Sequence, residues 1–212
     1  MIELYAITSH PGPPLPDVAP LREIERDRLS AVIAHIDEEP VATADRLWHH
    51  ERVVEALMQS RNLLPVRYGT CLPDEDAVAG ALDRRREELI TALEFVRGAV
   101  EVSVRVFGQG SEDQRDASDR NRSGADYLRE KARRGHERAR AVSAVHEPLR
   151  ALARADAERP ATLDRELLRS AFLVDRPRVA TFSRLVAALQ ASHPGLQLLC
   201  TGPWPPYSFA QR

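Results

Sequence analysis

The sequence predicts an α+β fold: a small amino-terminal α+β domain over residues 1–60, then a ferredoxin-like βαββαβ domain over 61–212 with a helical insertion at about 123–157. Three observations predict it. Short runs with β-type alternation take turns with stretches of helical period. Two strand–helix–strand halves can be traced in 62–106 and 167–201. A charged helical stretch lies between those halves.

Ile2 to Thr8 alternates apolar with other residues and opens the chain as a strand. Pro11, Pro13, Pro14 and Pro16 then forbid a ladder and make a loop. Leu21–Glu25 and Ser30–Ile36 read as two more strands about a turn near Asp27, closed by Asp37 to Pro40. Thr43 is an N-cap in front of a helix on which Leu47, Val54, Leu57 and Met58 recur at helical spacing. Asn62–Tyr68 reads as a short strand. Asp74 caps a long helix with Val78, Leu82, Leu89, Leu93 and Val96 on one stripe, ended by Gly98. Val100, Val102, Val104 and Val106 alternate with polar residues, as in a strand with one buried face.

From Ser123 to about Ala157 the pattern is helical with breaks near Gly135 and Pro148, which predicts two or three tandem helices. This stretch reads as a partner-binding appendage on a domain complete without it. Leu167–Val174 is a strand; Val179, Phe182, Val186 and Leu189 define a helix that stops at Pro194-Gly195; Leu196–Thr201 is the last strand.

Composition bounds the function. The chain has 212 residues, 43% hydrophobic, enough for a real core. No run reaches the ~18 apolar residues of a membrane span and no signal-like start is present, so a cytoplasmic location is expected. Residues 1–60 carry 5 arginines against 11 acidic residues, and 61–212 carry 25 basic against 21 acidic. That imbalance is too mild for a nucleic-acid footprint. Cys71 and Cys200 are too few for a disulfide framework or a four-cysteine zinc site. Both read as buried apolar side chains, placed at opposite edges of one sheet and not bridged.

Four blocks carry a resemblance: His49-His50-Glu51-Arg52-Val53-Val54-Glu55-Ala56-Leu57, Leu64-Pro65-Val66-Arg67-Tyr68-Gly69-Thr70, Ser123-Gly124-Ala125-Asp126-Tyr127-Leu128, and Thr201-Gly202-Pro203-Trp204-Pro205-Pro206-Tyr207-Ser208-Phe209. In order and spacing the chain resembles the gas vesicle protein F/L family. The resemblance implies an accessory or minor structural protein of gas vesicle formation. It would bind the hydrophobic shell protein and other accessory proteins during assembly, and hold shell subunits back from aggregation. It implies no catalytic residue and no cofactor, and a location at the gas vesicle. The family-motif residues it singles out, as structural or partner contacts, are His50, Glu51, Pro65, Arg67, Gly69, Thr70, Tyr127, Leu128, Gly202, Pro203, Trp204, Pro205, Pro206, Tyr207 and Phe209.

Sharper chemistries fit the residues less well. Zincin-type metal binding needs histidines at i and i+4, whereas adjacent His49 and His50 project about 100° apart on a helix, so no metal is assigned. Arg67 before Gly69-Thr70 suits an anion or a buried pair equally, and no glycine-rich phosphate loop precedes a helix. No Gly-x-Ser-x-Gly motif occurs, and neither cysteine has a base beside it. The alternative is a ferredoxin-like ligand-sensing or RNA-binding module, although Val100–Val106 offers no aromatic platform. The proline-rich end, Gly202 to Phe209, should be an ordered clasp, with Trp204 or Phe209 mostly buried, because its prolines lower the entropy cost of docking.

Overall fold

The structure, a computed structural model, describes residues 1–108, 124–163 and 165–210. The chain forms two antiparallel sheets and, among the described residues, five α-helices. It divides into two compact units, Met1–Glu101 with Pro203–Arg212, and Val102–Gly202.

In the first unit, β1 (Ile2–Ser9) lies inside a sheet of order β2-β3-β1-β4, with β2 at Arg22–Arg26, β3 at Leu29–His35 and β4 at Leu63–Pro65. A short β5 (Cys71–Leu72) also pairs with β1. Seven of the eight residues of β1 and six of the seven of β3 are buried, which requires cover on both faces of the sheet. The register passes from Leu4↔Ile33 to Ala6↔Val32, leaving Tyr5 as a bulge residue. Leu4 and Ile7, three apart, therefore line one face, while Glu3 and Tyr5 share the other. The β2–β3 turn places Asp27 at φ 53°, a conformation that Asp tolerates better than most residues.

Helix α1 (Ala44–Ser60) begins where Thr43 accepts from the Arg46 N–H, and buries Val53, Val54, Leu57 and Met58. Asp74 accepts from the Ala77 N–H at 2.8 Å to start α2 (Glu75–Arg84). The single long helix expected here is two. At Arg85 the backbone leaves helical geometry (φ −111°, ψ 16°) before α3 (Arg86–Val96) begins. Gly98, at φ 69°, then ends α3 and donates its N–H to Asn62 Oδ1.

The second unit runs β6 (Ala99–Gly108, entering from the first unit), α4 (Gly124–Leu152), β7 (Ala155–Glu158), β8 (Glu166–Asp175), a 3-10 turn, α5 (Val179–Ser192) and β9 (Leu196–Trp204). Its sheet order is β7-β8-β6-β9, and the element succession is β-α-β-β-α-β. Val102, Val104 and Val106 from β6 meet Val145 and Leu149 of α4, Phe172 of β8, and Phe182 and Val186 of α5 in one core.

This corrects three expectations. The strand within 62–68 pairs with β1 in the first sheet, not with Val100–Val106, so the boundary placed at residue 60 falls inside the first unit. The stretch at 123–157 is no appendage: Val145 and Leu149 are fully buried, making α4 the first crossover helix of the second sheet. Nor is it two or three helices. Pro148 sits near the α4 carboxyl end, where the one backbone bond it removes is offset by burial of Leu149 beside it. Strand β7, unforeseen, follows directly and pairs antiparallel with β8.

Cys71 and Cys200 are free, but they are partly exposed instead of buried and lie in different sheets, β5 of the first and β9 of the second, instead of at opposite edges of one, because the strand at 62–68 and β5 join the first sheet. Burial raises both thiols above the ordinary range, which leaves them protonated and weakly nucleophilic at neutral pH.

Candidate functional site

Three of the four motif blocks converge in the first unit. His50, on the buried face of α1, is 1% exposed and stacks on Tyr5, with ring centroids 4.7 Å apart and planes at 19°. Its Nε2 lies 2.9 Å from the Val66 carbonyl, and its Nδ1 lies 3.2 Å from Glu3 Oε1. A carbonyl can only accept, so Nε2 carries hydrogen and donates to Val66, while Nδ1 faces the Glu3 carboxylate. The Tyr5 hydroxyl donates to Glu3 Oε2 at 3.4 Å, and Tyr68 packs edge-on against the His50 ring. Burial first, then the neighbouring Glu3 charge, pushes the Tyr5 phenol above its ordinary range and keeps it a donor.

The second block wraps this cluster. Pro65 pairs with Ala6 across β1–β4, and the Val66 N–H donates to the Tyr5 carbonyl. The chain then turns tightly. Thr70 donates both its N–H (3.2 Å) and its hydroxyl (2.8 Å) to the Arg67 carbonyl, while Gly69 takes φ 81°, which strongly favours glycine. The Arg67 side chain is exposed and lines a cleft of about 320 Å³ between the sheet and α2–α3, walled by Leu4, Ile7, Leu64 and Leu82.

The last block docks on the same unit. Pro205, Pro206 and Phe209 are buried, Phe209 completely, with its ring 6.5 Å from that of Phe95. The Tyr207 hydroxyl donates to Glu51 Oε1 at 3.1 Å, and burial followed by the Glu51 charge lifts this phenol above its usual range. Ser208 gives its N–H (2.7 Å) and its hydroxyl (2.8 Å) to the two oxygens of Glu101. The clasp is therefore ordered, anchored through Phe209. Trp204 stays 40% exposed, and Gly202 and Pro203 are exposed. Tyr127 and Leu128 fall in the first turns of α4, and their side chains lie outside the described residues.

On the opposite face of the sheet from the Leu4–Ile7 cleft lies an open cleft of about 620 Å³. Tyr5, Tyr68 and His49 line it with four carboxylates, Glu3, Asp37, Glu38 and Asp45, against the single guanidinium of Arg46. Its sign suits a cationic side chain. The acceptors Glu3 and Glu101 and the ring of Tyr5 are the site residues that pattern reading missed. The available signal was a carboxylate within an otherwise apolar strand, which has to find a partner when buried.

Several of the motif residues described here are held in turns and buried contacts of the first unit, His50 on Glu3 and Tyr5, Thr70 on Arg67, Tyr207 on Glu51 and Phe209 near Phe95, which is a structural use of those side chains. Comparison with known proteins makes this specific. The model of the family "Gas vesicle synthesis protein GvpL/GvpF" matches residues 3–211. Gas vesicle protein L of Streptomyces sp. (strain CB03234) is 36% identical over 186 residues, covering 79% of this chain and 69% of that one. Gas vesicle protein F of the same strain is 28% identical over 236 aligned positions, covering 98% of both. The crystal structure of GvpF from Anabaena sp. PCC7120 superposes with a TM-score of 0.83 at 20% identity, covering 100% of this chain and 96% of that chain. GvpF from Microcystis aeruginosa gives 0.81 at 21%, covering 100% and 99%. The chain belongs to the gas vesicle synthesis protein GvpL/GvpF family, whose members are structural and assembly proteins of the gas vesicle. Among the described residues, no helix is long and apolar enough to cross a membrane.

Proposed function

We propose that the chain acts in gas vesicle formation by binding the hydrophobic shell protein, together with other accessory proteins, and holding shell subunits back from aggregation until they are built in. Family membership supplies the process. The observation that carries the binding step is the exposure of large apolar side chains at and just before the start of α1: Trp48 and Val41 are each 69% exposed and Leu47 43% exposed. A tryptophan left in water is costly unless a partner covers it, and aromatic anchors of this kind dominate protein interfaces. The α1 residues facing the sheet are buried, so the outward Trp48 contributes little to folding.

The test is capture of purified shell protein by the full chain, with light scattering to follow shell-protein aggregation. Trp48→Ala should weaken capture at least ~10-fold, the size of an interface hot spot, while leaving the denaturation midpoint where it was. Wild-type capture that is absent, or unaffected by Trp48→Ala, removes this assignment of the surface.

A further inference from the structure

We propose a divalent transition-metal site in the second unit, held by His146 of α4 and by Asp156 and Glu158 of β7. The three side chains offer ligand atoms that all lie within 4.8 Å of one another. Asp156 and Glu158 are two apart on a strand, so both point to one face, and β7 follows α4 closely enough to bring them under His146. Four-coordinate zinc with bonds of ~2.1 Å holds its ligands ~3.4 Å apart, a spacing this cluster reaches by small side-chain rotations. His146 Nε2 stands 3.1 Å from Asp156 Oδ2 and Nδ1 stands 3.7 Å from Glu158 Oε1, so Glu158, with its side chain 64% exposed, has to swing to the Nε2 side to share an ion with Asp156.

A second observation points to a ligand. His146 is 7% exposed, yet its Nε2 makes no hydrogen bond among the described residues. The Asp156 oxygen is close enough for an ion pair but does not stand in hydrogen-bond geometry to the ring. A buried polar atom left in that state is costly, and a cation between the two groups would satisfy both. The Ser170 hydroxyl repeats the pattern. It is 2% exposed, without a hydrogen-bond partner among the described residues, and directly across the β7–β8 ladder from Glu158. Cross-strand partners project to the same face, which puts this hydroxyl beside the cluster, where it suits a water completing the metal's shell.

One imidazole with two carboxylates favours a borderline cation such as Zn²⁺ over Mg²⁺ or Ca²⁺, which take oxygen ligands alone. The competitor is internal. Arg150 Nε lies 3.3 Å from Asp156 Oδ1, and its side chain is 59% exposed, so it can yield to an ion.

The experiment is a calorimetric titration of the full chain with Zn²⁺, with Co²⁺ as an optical probe of coordination and thermal unfolding measured with and without the ion. One ion per chain, Co²⁺ bands of a four-coordinate site, and a thermal midpoint raised by Zn²⁺ are expected. His146 is buried and its replacement risks the fold, so the decisive variants are at exposed positions. Glu158→Gln should weaken binding by at least ~10-fold, the lower bound for disturbing even an outer-shell group. Arg150→Ala should tighten it about ten-fold, because it removes a unit positive charge ~5 Å from a divalent ion in a nearly aqueous dielectric. The proposal is overturned by absence of saturable binding, by binding that neither substitution moves, or by a thermal midpoint that follows pH alone, which would make the cluster an imidazolium ion pair.

Discussion

Phe209 offers the sharpest test of how the carboxyl-terminal segment is held. Its ring is 0% exposed and packs near Phe95, so Phe209→Ala loses the whole transfer free energy of the side chain and leaves a cavity. Substitutions of this kind cost ~3–5 kcal/mol, and a segment near a chain end can partly collapse into the space, which favours the lower end, ~3 kcal/mol. Trp204 is the internal control. At 40% exposure it has only part of its area to lose, and Trp204→Ala should cost ~1–2 kcal/mol. Urea unfolding of the full chain, followed by far-ultraviolet circular dichroism, measures both. A Phe209→Ala midpoint within ~1 kcal/mol of wild type, or a larger loss for Trp204→Ala than for Phe209→Ala, would refute the anchoring argument.

Other expected outcomes concern the core and its charges. Leu149→Ala in α4, at a fully buried position, should cost ~2–5 kcal/mol in the second unit, and replacing 124–152 by a flexible linker should abolish that unit's cooperative transition in calorimetry. The Arg105 guanidinium, 2.6 Å from Glu166, together with Thr162, holds the Glu166 carboxyl down to about 2 against the cost of burial. A depressed carboxyl stabilises above its unfolded pKa of ~4.3 and loses that stabilisation as pH falls toward 2, so Glu166→Gln should be destabilised at pH 7 and converge on wild type in acid. Gly69→Ala forces a side chain onto φ 81°, and although its Cβ would meet open space it should lose about 1 kcal/mol of stability by denaturation.

Elements with a strong local signature were legible in the sequence. Thr43 and Asp74 cap as their residue types suggest, Gly98 ends α3 with the positive φ that glycine supplies, and the alternating valines of β6 are all buried. What escaped was information that is not local. Leu63–Pro65 is a strand by composition, but nothing within it says that Ala6, nearly sixty residues upstream, is its partner. β7, Ala155-Asp156-Ala157-Glu158, is short and polar because it is an edge strand, and it carries none of the β-branched residues that pattern reading looks for. Arg85 interrupts the α2–α3 stretch with no glycine or proline to announce it. The motif block at His50 was visible as a family feature, but its role rests on Glu3 and Tyr5, and only the folded sheet brings those beneath the imidazole.

The first unit is made of chain that is discontinuous in sequence: it is left at Glu101 and resumed at Pro203. On a ribosome this imposes an order of events. The Phe95 ring and the carboxylate of Glu101 emerge early, but Phe209 and Ser208, which meet them, follow only after the whole second unit has been translated. At common elongation rates that interval is roughly 5–20 s. Until it ends, the apolar ground beneath Phe209 lacks the segment that covers it in the finished protein.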